Sequence, residues 1–287
     1  MDRVLALYFQ DTLLEGGAPS IGSKLLAATL HTWPFLGAKI ALAFPCAYRC
    51  LLGWQKMVPA VTRPPLPYLA VISIVIRLLS WNEIAMAICV YIGMKGYIRP
   101  RELTSLLRSQ LIAPQVYCGS HFKFLAINLH PRSQNRMSKT GYWDESILMD
   151  TASDTAWLHP FFEALVEGDN SLPLWPFSHT EFVCRFRQAV NSLGLMKLQC
   201  CLYSLRHSGA SQDWLTQVRS LPKLKARGRW TSGASLRRYQ KAAQAQQQLA
   251  LMPDSVREAA SPGARCLSEL FHQPRKAQLL NRSMPSF

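Results

Sequence analysis

The stretch YLAVISIVIRLLSWNEIAMAICVYIGM, residues 68–94, is apolar over a length that would cross a bilayer. Whether it forms one membrane span or two packed helices settles what kind of protein the chain is. Arg77, Asn82 and Glu83 interrupt it near its middle, and a cation, an amide and a carboxylate are costly in hydrocarbon. The apolar spacing is helical from Tyr68 to about Cys89, so two helices of a folded core explain the pattern better. No membrane partner is expected.

Punctuation residues organise the chain on either side. Residues 1–63 carry short helical patterns broken by Gly16-Gly17, Pro34 and Pro45, and read as a small helical domain. In the segment VTRPPLP the prolines 64, 65 and 67 forbid regular helix, which makes residues 64–67 a linker. A larger domain is expected over 68–250. In it RPRELTSLLRSQL predicts a further helix, with Pro100 in its first turn. HFKFLAINLHP alternates at Phe122, Phe124, Ala126 and in part Leu129, as a strand does. The polar turn RSQNRMSKTG leads to a second strand, ESILM, so a small hairpin is expected.

Helices resume beyond it. TAWLHPFFEALVEG places Leu158, Phe161, Phe162 and Leu165 on one face, with Pro160 in the first turn. SHTEFVCRFRQAVNSLG opens with a capping box, Ser178 to Glu181, and closes at Gly194. SLRHSGASQDWLTQV predicts a helix from Ser204. Residues 251–287 read as a Pro- and Ser-rich tail with one apolar patch, CLSELF, able to form a short helix. The fold class that results is mainly α with a small antiparallel β element.

The chain has 287 residues and is 49% hydrophobic, enough to fill two cores. Its charge is unusual: 32 Lys and Arg against 17 Asp and Glu give +15, the footprint of a polyanionic partner. Eight of the basic residues, Arg219, Lys223, Lys225, Arg227, Arg229, Arg237, Arg238 and Lys241, lie between Trp214 and Pro253 without an acid among them. For any one of these the plain alternative is a solvated face. The eight cysteines show no metal-ligand spacing, so reduced thiols of an intracellular protein are expected, with no metal and no cofactor. The start, MDRVLALYFQDTLLEGG, has no signal-peptide pattern.

A phosphodiester under attack spreads negative charge over its non-bridging oxygens, and without a metal it requires fixed cationic donors, planar guanidinium forks above all. It also requires a nucleophile and a proton donor for the departing oxygen. Late in the chain GRWTSGASLRRYQK, residues 228–241, sets a lone Tyr239 in a strongly positive context. A phenol ionises near pH 10, and surrounding guanidinium groups favour its phenolate.

Four segments, GYIRPRELTSL, SKTG, LYSLRHSGA and GRWTSGASLRRY, occur in an order that resembles the motif series of the tyrosine recombinase/phage integrase family. The resemblance covers roughly Tyr68 to Gln248, and residues 1–63 resemble a shortened core-binding domain. It implies Arg99 as the first family arginine, with Arg101 as competitor, and Lys139 as the hairpin lysine that protonates the 5′-oxygen, with Lys123 on the same hairpin. It implies Arg206 as the second arginine, whose plain alternative is a buried structural ion pair. Trp230 then stands as the indole donor, and Tyr239, nine residues later, as the nucleophile. Tyr203 occupies a position where the family has His or Lys. Its hydroxyl donates a hydrogen bond but takes no proton near neutral pH; His207, beside Arg206, points elsewhere on a helix.

The function so implied is DNA breaking and rejoining through a 3′-phosphotyrosyl intermediate, without ATP or metal. Lys223, Lys225, Arg227, Arg229, Arg237, Arg238 and Lys241 are the expected DNA-contacting cations. Double-stranded DNA is the partner, and a homotetramer on paired sites is expected, with CLSELF docking on a neighbour. The location would be the nucleus in a eukaryote or the nucleoid-bearing cytoplasm otherwise. Alternatives are a DNA-binding descendant with weakened or no cleavage, favoured by Tyr203 and the short N-terminal region, a type IB topoisomerase, and a basic helical protein that binds partners through its surface.

Overall fold

The computed structural model describes residues 1–36, 39–59, 64–119, 122–134, 141, 143–150, 156–166, 169–230, 242–282 and 284. The chain divides into two compact units, Met1–Thr62 and Arg63–Phe287.

The first unit is helical throughout its described residues. Helices run over Asp2–Leu14, Pro19–Thr32, Ile40–Ala43 and Pro45–Met57, with breaks at the expected Gly16, Pro34 and Pro45. Pro19 and Pro45 each begin a helix, where the missing N–H costs nothing and the fixed φ fits the first turn. Phe9, Leu26, Phe44, Ala47, Leu51 and Trp54 form its core. Asp2 caps the last of these helices from a distance: its two carboxylate oxygens accept from the backbone N–H groups of Cys46 and Ala47, at 3.0 and 2.9 Å.

In the second unit the 68–94 stretch forms two helices, Tyr68–Ser80 and Ile84–Lys95. They are separated where Asn82 takes a left-handed φ of 61°, a conformation asparagine tolerates better than most residues. Glu83 extends from this turn to Arg185, with Nε 3.0 Å from its carboxylate. Arg77 is buried and donates to the Ser192 carbonyl at 3.4 Å. Both helices are apolar all round because other elements cover every side. Among the described residues no helix is long and apolar enough to cross a membrane.

Those covering elements include the helix His179–Ser192, whose capping box joins Ser178 Oγ to the Glu181 N–H at 3.2 Å and the Glu181 carboxylate to the Ser178 N–H at 2.6 Å. It ends near Gly194, at φ 64°. The helix His159–Val166 carries Pro160 in its first turn. The helix Leu202–Leu215 starts two residues before Ser204.

Residues 251–287 are not a loose tail where they are described. They form helices Asp254–Arg265, Leu267–His272 and Pro274–Arg282. Val256, Ala259, Phe271 and Ala277 are buried in the same core as the Tyr68–Ser80 helix. The apolar side chains of CLSELF, Leu267, Leu270 and Phe271, lie in this chain's own core, and Phe271 packs on Trp157 with ring centroids 4.8 Å apart. The patch expected on a neighbour is therefore occupied by its own chain.

The sheet has three antiparallel strands in the order β1 (Leu111–Ile112), β2 (Ala126–Leu129), β3 (Glu145–Leu148). Register pairs Ile127 with Ile147 and Leu129 with Glu145. The inward face is Ile127 and Leu129; Phe122 precedes β2 and is exposed, so the alternation expected from Phe122 is one residue out of phase. The helix expected over RPRELTSLLRSQL is also shorter, Pro100–Thr104. Beyond it the backbone bonds elsewhere: Arg108 N–H donates to Leu172 O at 3.0 Å and Ser109 N–H to Asn170 O at 3.1 Å. The Gln110 side chain accepts from Leu107 N–H at 2.9 Å. These tertiary bonds displace the helical ladder and lead into β1.

Candidate functional site

Arg99 stands immediately before the Pro100–Thr104 helix, where the capping position brings Glu102 beneath it. The Arg99 backbone N–H donates to one Glu102 oxygen at 3.2 Å, and its guanidinium pairs with the other. Arg101, the competing arginine, is exposed. Glu102 is a hub: Arg229 Nη2 approaches it at 2.6 Å and His130 Nε2 at 3.4 Å. Arg229 also reaches Glu145 on β3, Nη1 at 3.0 Å. Burial pushes the Glu102 carboxyl up, but the hydrogen bonds and charges of Arg229 and then Arg99 outweigh it and hold it down at about 2.

Arg206 lies on the Leu202–Leu215 helix and is 1% exposed. Its Nη1 donates to the Tyr97 carbonyl at 2.6 Å, and its Nη2 to the Gly228 carbonyl. Its Nε–H has no hydrogen-bond partner among the described residues. Its guanidinium carbon sits 5.0 Å from the centroid of the Trp230 ring. Burial and then the like charges of Arg229 and Arg99 bring its pKa down to about 10. Residues 99, 206 and 229, far apart in sequence, thus share one electrostatic neighbourhood: Arg99 and Arg229 pair with Glu102, Arg229 also with Glu145, and Arg206 feels the charges of Arg229, Arg99 and Glu102.

Tyr203, one turn before Arg206, is 40% exposed and lies within its electrostatic reach. Its ring meets that of His207 at 5.0 Å, tilted by 58°. Trp230 is half-buried at the edge of a small cluster of Tyr97, Ala210 and Leu224. Lys139 and Tyr239, expected as proton donor and nucleophile, and Arg237, Arg238 and Lys241 lie outside the described residues. Lys123, the alternative on the hairpin, is exposed, its Nζ 5.1 Å from the Phe124 ring.

The basic stretch is not a uniform surface. Lys223 is exposed and Lys225 half-buried on the Leu221–Arg227 helix. Arg227 and Arg229, expected as DNA-contacting cations, turn inward instead, with side chains 8% and 7% exposed. Arg227 Nη1 donates to the Leu148 carbonyl at 2.7 Å and to Asp150 at 3.0 Å, and its Nε to Lys95 O at 2.9 Å. Arg219 grips Asp150 through two nitrogens at 2.8 and 2.5 Å and Asp213 at 2.8 Å. The physical reason is scarcity of acid: a basic chain places cations beside its few carboxylates when both are removed from water.

Sequence reasoning treated Glu102 only as a spacing marker and passed over Tyr97, His130, Glu145, Asp150 and Asp213. The available signal was the small number of acids, which makes each one in a cationic context a candidate partner. Among the described residues no group of His, Cys, Asp and Glu could hold a metal ion.

Fold and site together define a mainly helical, basic chain with a buried arginine cluster held on a carboxylate hub. No protein-family model matches it, and no curated protein does. Among solved structures it is similar to one described as the crystal structure of XerA recombinase, with a TM-score of 0.44 and 14% identity, over 91% of this chain and 90% of that one.

Proposed function

We propose that the protein binds double-stranded DNA and breaks and rejoins it through Tyr239, in the manner of a tyrosine recombinase. The observation that carries this reading is the convergence of Arg99, Arg206 and Arg229 on Glu102, in which burial first, and then the like charges of Arg229 and Arg99, lower the Arg206 pKa. Three cations in one neighbourhood with the two carboxylates Glu102 and Glu145 leave positive charge at one place, and a phosphate placed there relieves it. In the reaction proposed, the Tyr239 phenolate, its proton released to solvent, attacks the scissile phosphorus and the bond to the 5′-oxygen breaks. That oxygen takes a proton from Lys139, and a 3′-phosphotyrosyl link and a 5′-hydroxyl result. Attack by a 5′-hydroxyl on the phosphotyrosine reverses the step, so the bond energy is conserved without ATP. Lys223 and Lys225 contact the flanking backbone, and Tyr203 offers a hydroxyl donor.

A second reading, a DNA-binding descendant that does not cleave, is favoured by one observation: Arg206 is 1% exposed and already gives both terminal nitrogens to carbonyls. A duplex nicked beside the cleavage point separates the two, because loss of the short strand traps the covalent intermediate. A denaturant-resistant protein–DNA adduct that Tyr239→Phe abolishes supports cleavage. Salt-dependent binding without any adduct supports the second reading, and an adduct that survives Tyr239→Phe refutes the assignment of the nucleophile.

A further inference from the structure

Tyr97 is fully buried and adopts φ 49°, left-handed backbone that a bulky residue rarely takes. Three bonded features account for its being held there. Its hydroxyl donates to Asp213 Oδ2 at 2.5 Å, its carbonyl accepts Arg206 Nη1 at 2.6 Å, and its ring stacks on Trp230 with centroids 6.1 Å apart and planes 22° from parallel. On the ring the Arg227 guanidinium carbon sits 5.5 Å from the centroid, and on Trp230 the Arg206 guanidinium carbon sits at 5.0 Å. The contacts form one series: Arg206, Trp230, Tyr97, Arg227.

The far end of the series is anchored. Asp150 bridges Arg227 and Arg219, Arg219 bridges to Asp213, and Asp213 receives the Tyr97 hydroxyl. Close backbone approach is built in at Gly209: a Cβ there would meet the Met94 carbonyl oxygen at 1.9 Å and the Tyr97 ring at 2.8 Å. A cation placed on an aromatic face is attracted by the ring quadrupole, and the attraction strengthens away from water. A guanidinium held at one face and by carbonyls at its edge has little freedom to turn.

We propose that Tyr97 is a positioning residue, the tier that supports Trp230 and, through the ring stack and its own carbonyl, fixes the direction of the Arg206 guanidinium. Arg227, itself held by Asp150, backs that tier from behind. The consequence for phosphate binding rests on the proposed role of Arg206 in the reading above, whereas the stack itself does not.

Two measurements on Tyr97→Leu and Tyr97→Phe test it. The first is the side-chain NMR signal of the Arg206 Nε–H group, recognised by its absence in Arg206→Lys, which reports the ring above it. The signal stays in place in Tyr97→Phe, which keeps the ring, and shifts in Tyr97→Leu. The second is the salt dependence of binding to a 30-base-pair duplex. The slope of log K against log salt is unchanged in Tyr97→Phe and falls by about 0.9, one phosphate contact, in Tyr97→Leu. A folded Tyr97→Leu protein with an unmoved Arg206 signal overturns the stack, as does Tyr97→Phe behaving like Tyr97→Leu. If Tyr97→Leu does not fold, Tyr97→Met, which removes the ring and keeps much of its bulk, takes its place under the same outcomes. A parent protein without salt-dependent binding refutes the DNA reading alone, and the Arg206 signal then decides the stack.

Discussion

Replacing Glu102 by Gln removes a carboxylate that faces Arg99, Arg229 and His130 while keeping its volume. Its carboxyl is held at about 2 instead of the ordinary 4.5, and each pKa unit is worth about 1.4 kcal/mol. The charged form therefore contributes about 3 kcal/mol to the folded state at neutral pH. Because the folded value is the lower one, this contribution is complete above the unfolded pKa. It is lost as pH falls through the folded one. Gln retains an oxygen that accepts one of the arginine N–H groups, so the expected loss at pH 7 is about 1–3 kcal/mol, less than the roughly 3–5 kcal/mol when a buried pair loses one member outright. Urea unfolding of the Arg63–Phe287 unit measures it, and repeating the titration down to pH 2.5 gives the shape. The gap between parent and variant closes as the acid limb is crossed. A loss below about 0.5 kcal/mol at pH 7, or a gap that is the same at pH 3 as at pH 7, refutes the hub.

Further expectations concern the same structure. Phe271→Ala removes a ring buried against Trp157 and costs about 3–5 kcal/mol by thermal or urea unfolding; a cost under about 1 kcal/mol would mean the C-terminal helices are not held by it. Ser178→Ala removes the helix cap and lowers stability by about 1 kcal/mol in the same assay. Arg227→Gln lowers the unfolding midpoint because it removes the donors to the Lys95 and Leu148 carbonyls and one of the two arginines on Asp150. Lys223→Gln leaves the midpoint in place and reduces the salt slope of DNA binding by about 0.9. Identical behaviour of these two variants would contradict the division of the basic stretch into inward and outward cations.

Much of the local structure was legible because it depends on near neighbours. The capping box at Ser178 and Glu181, Pro100 in a first turn, and the breaks at Pro45 and Asn82 act within a turn of the chain. The strand phase was legible only in part: alternation from Phe122 chose Ala126 over Ile127 and took in Leu129 only partly, since a one-residue register choice is made by strand pairing. The shortened helix after Arg99 is of the same kind, because the carbonyls of Leu172 and Asn170 lie some 60 residues from the N–H groups they accept.

The site divides along the same line. Sequence by itself determined the composition of this protein: an excess of cations, few acids, and arginines at 99, 206 and 229 on or beside recognisable helix starts and turns. It could not determine which cations face solvent. That choice depends on where the scarce carboxylates fall in space, and only the tertiary structure decided it, drawing Arg227 and Arg229 inward to Asp150, Glu102 and Glu145 while leaving Lys223 outside. The physical reason is that burying a charge is costly unless a partner meets it, and partners are assigned by the fold, not by the order of residues along the chain.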